Sequence, residues 1–371
     1  HAAWHFWYAV GFGGESGLRK VGLCGNHPLT QRYTVRLIIE EKMKIISIFN
    51  NKGGVGKTTY MYHIAHLLER AGKKVLVVDL DSQCNLSAYS LSDTELERSW
   101  RSDRGNSIWN AIERVYEGLG DIRQRRPSLL SENYPNLYIV PGDVLLSNYE
   151  DSLGDSWSSA KGGSAPALRI QSAIYRYIKW AAEQVEADVV MLDLGPNLGA
   201  LNRSVLAASD YFIAPMSPDL FSIRGTKNLG AKLEVWRREW DQCNSSAAGT
   251  IDLPQGKPTF LGYVMQQHNI RQNTNGMTRG WAIFGDQVQT AVQQNIIDVL
   301  APLGQVHDWG DGNWNIGQIP NLHSLIPYSL DAKKPVFDCT SRDGLNGAHI
   351  TRARDSASHF DPIVQKLLSV L

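Results

Sequence analysis

The sequence is poor in cysteine and has no excess of either charge. Its four cysteines, Cys24, Cys84, Cys243 and Cys339, form no Cys-x-x-Cys pair, which excludes the usual zinc spacing and a dense disulfide framework. A reducing cytoplasm is the simplest compartment for such a chain. The 371 residues include 37 basic and 37 acidic side chains, so this is not a chain coated in positive charge for nucleic acid. A local basic patch stays compatible with that balance.

Long apolar runs are also absent. No run reaches the roughly 18 residues that a membrane-spanning helix needs. The hydrophobic content of 43% and the charged content of 20% are typical of globular proteins and exclude disordered or fibrous classes for most of the chain. The length suits one large domain or two, and we find no internal repeat.

Residues 1–42 lack the basic start and the apolar stretch of about 7–15 residues that a secretory signal has. The apolar segment that follows Met43 predicts a buried strand. We therefore expect residues 1–42 to be a non-native or disordered extension, either read-through upstream of Met43 or a cloning remnant. A genuine arm that binds a partner is the alternative. Without these residues, the chain has a slight acidic excess.

A glycine-rich segment separates this first predicted strand from a helical pattern. Its residues are, in order, Asn51, Lys52, Gly53, Gly54, Val55, Gly56, Lys57, Thr58 and Thr59. Glycines let several backbone N–H groups point at one anion, and the dipole of the following helix adds to the attraction. The spacing predicts that Lys57 reaches the β and γ phosphates of a nucleotide and that the Thr58 hydroxyl ligates Mg²⁺. The strict pattern G-x-x-x-x-G-K-[ST] is not met, because Asn51 stands where its first glycine belongs.

With its early lysine, Lys52, this segment resembles the deviant Walker A motif of the ParA/MinD family of ATPases. The resemblance implies that residues 53–59 bind ATP with Mg²⁺ as the cofactor. In that family, the lysine at this position reaches the nucleotide on the other subunit. The resemblance therefore implies a catalytic Lys52 and an ATP-dependent sandwich homodimer, with Lys57 catalytic in its own subunit.

Two further apolar segments end in aspartates. Residues 75–80 predict a strand whose run Val75 to Val78 is buried on both faces, as in a parallel sheet, and residues 188–194 predict a short apolar strand. By resemblance to the family's D-x-D-x-Q element, Asp81 would orient the attacking water and Asp79 would support the Mg²⁺ shell. A turn with two solvated acids is the alternative for that pair. Asp193, which precedes a Gly-Pro break, has the form of a Walker B carboxylate and would hold a water on Mg²⁺. Residues 195–199 depart from the family's pattern.

Alternating strands and helices predict a doubly wound, mostly parallel α/β sheet with helices on both faces and its sites at the carboxyl ends of the strands. The predicted strands lie near residues 44–50, 75–80, 137–140, 188–194, 211–216, 259–265 and 316–319. Residues 93–135 are charged and predicted to be partly helical. The Gly/Ser/Ala-rich residues 154–166 predict a flexible loop. We expect residues 43–371 to form a single ATPase domain.

The C-terminal part of the chain also resembles the family. Pro320 and Asn321 lie where the family has its base-binding loop, so the resemblance implies that they flank the adenine, with an ordinary turn as the alternative. Residues 358–371 are amphipathic, but Lys366 is their only lysine or arginine. A membrane-targeting tail would need a row of basic residues, so we expect this segment to pack against the core.

The resemblance implies a partitioning ATPase that is slow, is stimulated by a ParB-like partner and binds DNA nonspecifically in the cytoplasm, at the nucleoid. Candidate DNA contacts are Arg271, Arg279, Arg342, Arg352 and Arg354, which are scattered and could equally be ordinary solvated arginines. A nucleotide-switched scaffold that positions a protein or membrane-associated cargo without DNA is the alternative. Lys52 disfavours an ATP-dependent synthetase of the same fold, and the lack of a cysteine pair disfavours a nitrogenase-like reductase.

Overall fold

The computed structural model describes residues 43–247, 249, 251–268, 279–322 and 324–371, without the side chains of 267–268 and 279–283. These residues belong to the second of two units of the chain, Lys42–Leu371. Residues 1–42 lie outside the described residues, so the prediction made for them stays a prediction.

Eight strands of the described chain form one sheet. Their bounds are β1 (Lys44–Ile48), β2 (Val75–Leu80), β3 (Ser128–Ser131), β4 (Tyr134–Val140), β5 (Val189–Leu194), β6 (Tyr211–Met216), β7 (Thr259–His268) and β8 (Asn315–Pro320). The spatial order is β3-β4-β2-β5-β1-β6-β7-β8, and every neighbouring pair is parallel except β3 with β4. The predicted doubly wound, mostly parallel sheet is confirmed.

Helices cover both faces of the sheet. Their bounds are α1 (Lys57–Arg70), α2 (Asn85–Ser90), α3 (Asp93–Ser99), α4 (Ile108–Tyr116), α5 (Leu146–Lys161), α6 (Ala165–Val185), α7 (Ala200–Ala208), α8 (Leu220–Ala247), α9 (Arg279–Val292), α10 (Asp298–Leu300), α11 (Ile326–Ala332), α12 (Ala348–Asp355) and α13 (Asp361–Leu368). A π-helical turn, Gln293–Ile297, joins α9 to α10.

Alternate residues of the central strands supply the two cores. Ile46 and Ile48 of β1 pack in the core with α1 and α13, whereas Leu76 and Val78 of β2 pack in the core with α4 to α8. All six residues of β2 and all six of β5 are buried. This burial on both faces explains why these strands are apolar throughout rather than alternating with polar residues.

The predicted flexible loop at 154–166 is wrong. Helix α5 continues to Lys161 and α6 begins at Ala165, so only three residues separate them. Leu153, Trp157 and Ala160 recur at helical spacing and are buried against neighbouring helices. Packing of this stripe outweighs the low helix propensity of the serines and glycine around it.

Two further predictions concern residues 93–135 and the C-terminal segment. The partly helical prediction for residues 93–135 is confirmed by α3 and α4, but the short strand β3 at its end was not predicted. The C-terminal segment packs on the core as expected, with Phe360, Ile363 and Leu367 buried. In the part of the chain that the structure describes, none of the helices has the length and apolar character needed to cross a membrane.

Two helical glycines give a matched test of the packing. A Cβ on Gly230 of α8 would lie 2.0 Å from the Asn295 carbonyl oxygen of the π-helical turn, whereas a Cβ on Gly154 of α5 would meet no atom within 4 Å. We expect Gly230→Ala to lower the free energy of unfolding by about 1–3 kcal/mol through overpacking. Gly154→Ala should raise it by up to about 1 kcal/mol through helix propensity. Urea denaturation measures both changes, and shifts of the same sign would contradict the close approach of α8 to the π-helical turn.

Candidate functional site

The glycine-rich segment forms a loop between β1 and the first turn of α1. Gly54 and Gly56 have φ of 71° and 76°, a left-handed conformation that favours glycine over other residues. Val55 between them is fully buried, which anchors the loop to the core. Gly56 immediately precedes α1 and has no side chain that could cap the N–H groups of the first turn of this helix. These donors and the helix dipole make the loop suitable for binding a phosphate.

Lys57 turns its ammonium group back across this loop. Its Nζ donates to the carbonyl oxygens of Asn50 and Lys52, each at 3.1 Å. Burial lowers the pKa of Lys57, and the negative charges of Asp193 and Asp81 oppose that shift. The structure therefore places a largely buried cation inside the loop, where the sequence predicted a phosphate-binding lysine.

Three consecutive side chains tie the start of the loop to β6, to α8 and to the connection between them. Asn50 Nδ2 donates to the Pro215 carbonyl at 2.6 Å, and Asn51 Nδ2 donates to a carbonyl in the first turns of α8, that of Gly225, at 3.2 Å. Lys52 forms an ion pair with Asp219. Asn51 stands where the strict motif has its first glycine. Its side chain therefore makes a contact to α8 that a glycine could not make.

Two aspartates lie side by side at the carboxyl ends of β2 and β5. Asp79 and Asp193 are paired in register, and both are buried. Thr58 Oγ1 donates to Asp193 Oδ2 at 2.7 Å, which links the loop to β5. Asp193 Oδ1 is also buried, and no hydrogen-bond partner for it is present among the described residues. Burial, followed by the charge of Asp79, raises the pKa of Asp193 well above its usual range.

Asp79 differs from Asp193 because both of its oxygens accept hydrogen bonds from the protein. Its Oδ2 accepts from the Ser87 N–H at 2.8 Å and from the Ser87 hydroxyl at 2.6 Å, and its Oδ1 accepts from the Asp81 N–H at 3.2 Å. Burial raises the pKa of Asp79 as well. Asp79 thus orients the backbone that carries Asp81, whose own Oδ1 accepts from the Gln83 N–H at 3.0 Å.

The segment after Asp193 lies against both the loop and Asp81. A Cβ on Gly195 would lie 3.3 Å from Asp81 Oδ1, and one on Gly53 would lie 3.8 Å from Cγ of Pro196. Asn202 of α7 holds the segment, since its Nδ2 donates to the Gly195 carbonyl at 2.9 Å. The structure therefore brings this segment together with the predicted loop and carboxylates.

The predicted base-binding residues line a cavity beside the loop. The cavity has a volume of about 310 Å³, within the usual range for small-molecule sites. Its lining includes Gly56 and Thr59 from the loop and α1, together with Pro320, Asn321 and Phe360. Pro320 and Asn321 are thus close to the phosphate loop, although their role in binding a base stays a prediction.

The five arginines that are candidate DNA contacts are described only in part. Arg271 lies outside the described residues, and the side chain of Arg279 is not described. Arg342, Arg352 and Arg354 are exposed near the C-terminal end of the chain. Their exposure agrees equally with DNA contact and with ordinary solvation.

Sequence reasoning missed several residues that shape the site. They are Asn50, Ser87, Asn202 and Asp219. One signal was available for Asp219, because it follows the carboxyl end of β6, the edge where this fold places its sites. The same signal applies to Asn50, which follows β1. Ser87 and Asn202 contact residues eight and seven positions away but belong to no recognised motif.

The sheet, the loop and the paired carboxylates define a P-loop nucleotide-binding α/β protein. A family model described as an AAA domain matches residues 43–272, which is more than half of the chain. The chain belongs to the ParA/MinD family of P-loop ATPases.

Individual relatives and a solved structure are similar to parts of this chain. The chromosome-partitioning ATPase Soj of Thermus thermophilus is 29% identical over 201 residues, covering 54% of this chain and 65% of that protein. A Rhizobium rhizogenes protein assigned as a replication protein A is 29% identical over 220 residues, covering 53% of this chain and 50% of the relative. A solved structure from Corynebacterium diphtheriae is 25% identical with a TM-score of 0.60, covering 78% of this chain and 97% of that one. The chain spans about half the length of the first curated relatives that it matches.

The raised pKa of Asp193 gives a test of its burial. Above the ordinary carboxyl pKa of about 4, the unfolded chain releases the proton of Asp193 while the folded state retains it, so the folded state loses stability as the pH rises. We expect Asp193→Asn to gain stability relative to the original protein as the pH rises from about 4 to 8, without Mg²⁺ and nucleotide. Urea unfolding at several pH values in EDTA measures this, with Asp151→Asn on the exposed face of α5 as the control. A difference independent of pH would contradict the shift.

Proposed function

We propose that this chain is a ParA-type partitioning ATPase, which binds ATP with Mg²⁺, dimerises around the nucleotide and hydrolyses it slowly under stimulation by a ParB-like partner. The observation that carries the proposal is a phosphate loop with two lysines in different positions. Lys57 is turned into the loop, whereas Lys52 lies at its rim with 25% of its side chain exposed. The printed name of the Thermus relative, a chromosome-partitioning ATPase, supports the cellular role.

ATP is the proposed substrate, and the loop binds its phosphates. Backbone N–H groups and the Lys57 ammonium neutralise the phosphate oxygens. The cavity that contains Pro320 and Asn321 receives the adenine, since it opens beside Gly56 and Thr59. The proposed nucleotide-binding residues are Gly53, Gly54, Val55, Gly56, Lys57, Thr58, Thr59, Pro320 and Asn321.

The oxygen donors present fit Mg²⁺, which binds proteins through one or two carboxylates together with substrate phosphates. We assign its binding to Thr58 and Asp193, because Asp193 Oδ1 is buried without a partner among the described residues. Mg²⁺ would neutralise charge that develops on the phosphate oxygens. Asp79 supports this shell indirectly, by positioning Asp81 through its backbone N–H. Asp81 orients the attacking water.

Lys52 can leave its position at little cost. Its ion pair with Asp219 is partly exposed on both sides, and such pairs contribute about 0–1 kcal/mol. We propose that Lys52 exchanges this carboxylate for the phosphates of a nucleotide on a second subunit. A phosphate group carries more charge than one carboxylate and accepts several hydrogen bonds, so the exchange favours the ATP-bound dimer.

Replacing Lys52 tests the dimer. We expect Lys52→Ala to abolish ATP-dependent dimerisation and to lower ATP hydrolysis at least about tenfold, a loss of about 1.4 kcal/mol of transition-state stabilisation. Light scattering coupled to gel filtration with ATP or ADP measures the dimer, and phosphate release measures hydrolysis. Lys227→Ala on the exposed face of α8 is the matched control, expected to behave as the original protein. A Lys52→Ala protein that still dimerises with ATP and hydrolyses it normally would overturn the sandwich dimer.

In the proposed cycle, the ATP-bound dimer binds DNA nonspecifically in the cytoplasm, at the nucleoid, and releases it when hydrolysis is triggered. The alternative is a nucleotide-switched scaffold that positions a protein or membrane-associated cargo without DNA. The equal numbers of basic and acidic residues favour this alternative, because they provide no overall attraction to a polyanion.

A DNA titration separates these two functions. Partitioning predicts binding to unrelated duplexes that requires ATP and weakens steeply with salt, because each phosphate contact releases counterions. Fluorescence anisotropy with ATP, ADP and no nucleotide, repeated from about 50 to 200 mM salt, measures this. Absence of binding at low salt in every nucleotide state would favour the scaffold.

A further inference from the structure

An arginine-rich cleft lies away from the phosphate loop, at the β3 end of the sheet. We define the arginine cleft by six of the residues that line it: Arg98, Ser99, Arg104, Arg125, Arg126 and Ser128. Its volume is about 580 Å³. The cleft concentrates positive charge on a chain with no net charge, since its four guanidinium groups face a single carboxylate in the lining, that of Glu95.

That carboxylate interacts with the charge of Arg98, but one of its oxygens is also hydrogen-bonded to Ser92. Glu95 Oε2 accepts from the Ser92 N–H at 2.8 Å and from the Ser92 hydroxyl at 2.6 Å, as part of the cap of α3. Arg104 pairs only with its neighbour Asp103, at 3.5 Å and with both side chains largely exposed. Arg98, Arg125 and Arg126 have no carboxylate oxygen within 4 Å among the described residues. The cleft therefore carries more positive charge than the nearby carboxylates of Glu95 and Asp103 neutralise.

Arg125 uses part of its guanidinium group within the chain, since its Nη2 donates to the Asp103 carbonyl at 3.0 Å. Its Nε is buried, and no hydrogen-bond acceptor for it is present in the part of the chain that the structure describes. A buried donor left unpaired costs about 1–3 kcal/mol, and more when the group is charged. An anion bound in the cleft could remove this penalty, because a guanidinium group offers several donors in a planar fork that matches phosphate oxygens.

The rim of the cleft is built as a fixed structure rather than a loose loop. The Arg123 N–H donates to the carbonyl of Ala111 in α4 at 2.7 Å, and the Tyr177 hydroxyl of α6 donates to the Arg125 carbonyl at 2.7 Å. Asn106 Nδ2 donates to the Arg126 carbonyl at 3.1 Å. A site whose groups are held before binding loses less entropy when the ligand arrives.

The cleft opens at the same edge of the sheet as the nucleotide site. Ser128 pairs with Ile139 near the carboxyl end of β4, so the segment that carries Arg125 and Arg126 lies beyond that end. Asp79 and Asp193 lie at the carboxyl ends of β2 and β5 in the same sheet. A ligand in the cleft would thus lie on the side of the protein that the proposed dimer uses.

We propose that the arginine cleft binds the phosphodiester backbone of DNA, an inference that rests on the proposed partitioning function and locates its DNA-binding surface. Guanidinium groups from three chain segments suit a repeating anion better than a single phosphate. Serine, asparagine and glutamine side chains complete the lining, as is common where proteins contact DNA phosphates. Leu129 is the only hydrophobic residue in the described lining, so the cleft offers no aromatic platform for a base.

The test compares two double variants that remove equal charge. Arg98→Ala/Arg126→Ala changes the cleft, and neither side chain makes an ion pair within the described chain. Lys232→Ala/Arg238→Ala changes exposed residues of α8 and is the control. Anisotropy of fluorescent duplexes of unrelated sequence is measured with ATP over a range of salt. The melting temperature and binding of a fluorescent ATP analogue check that each variant is folded.

We expect the cleft variant to bind every duplex more weakly by the same factor. Its slope of log affinity against log salt should be shallower by about two, one unit for each lost phosphate contact. The control should retain the slope of the original protein. A cleft variant with unchanged affinity and slope would overturn the inference and leave the partitioning function standing, because the original protein would still bind DNA.

Three other outcomes also overturn the inference. Equal losses in both variants would mean that net charge, rather than the cleft, governs binding. An original protein that binds no DNA at low salt would overturn the DNA-binding function itself, and the inference with it. If that protein instead binds polyglutamate and the cleft variant does not, the cleft is a site for an acidic protein segment.

Discussion

Two carboxyl groups, Asp79 and Asp193, are buried side by side on neighbouring strands, and the surrounding structure has to offset the free-energy cost of burying them. Desolvation and mutual repulsion both raise the free energy of the charged pair. Hydrogen bonds from Ser87 to one carboxylate and from Thr58 to the other oppose this, together with the charge of Lys57. Lys57 and Thr58 open α1, which follows the loop after β1, and Ser87 lies in α2, soon after β2. The paired acids therefore depend on the strand-loop-helix order of the chain.

Much of the fold could be predicted, because a strand that is buried on both faces has a continuous apolar sequence. Continuous apolar runs at 75–80 and 188–194 have few alternatives to a parallel strand, and the structure confirms them. β3 has four residues and forms through its pairing with β4, so no local pattern identifies it. In α5, the buried Leu153 and Trp157 are separated by Gly154, serine and aspartate, which have low helix propensity, so the sequence predicts a loop where the chain forms a helix.

The candidate site was likewise predictable in part. The loop is a local motif, and the structure places Thr58 and Lys57 beside the predicted Asp193. The contacts of Asn50 and Asn51 are with residues more than 160 positions later in the chain. A local sequence pattern identifies the loop and its residue types. It does not identify contact partners that are far away in the sequence. The ion pair of Lys52 with Asp219 was unpredictable for the same reason.

The shape of β3 has a consequence for how copies of this chain can associate. An exposed edge strand presents a row of backbone donors and acceptors that can recruit a strand from another molecule. β3 has only four residues, and its register with β4 shifts between Leu129 and Ser131. So short and irregular an edge is a poor template for a further strand. At this end of the sheet, the short edge disfavours the strand-by-strand addition of further copies of the chain.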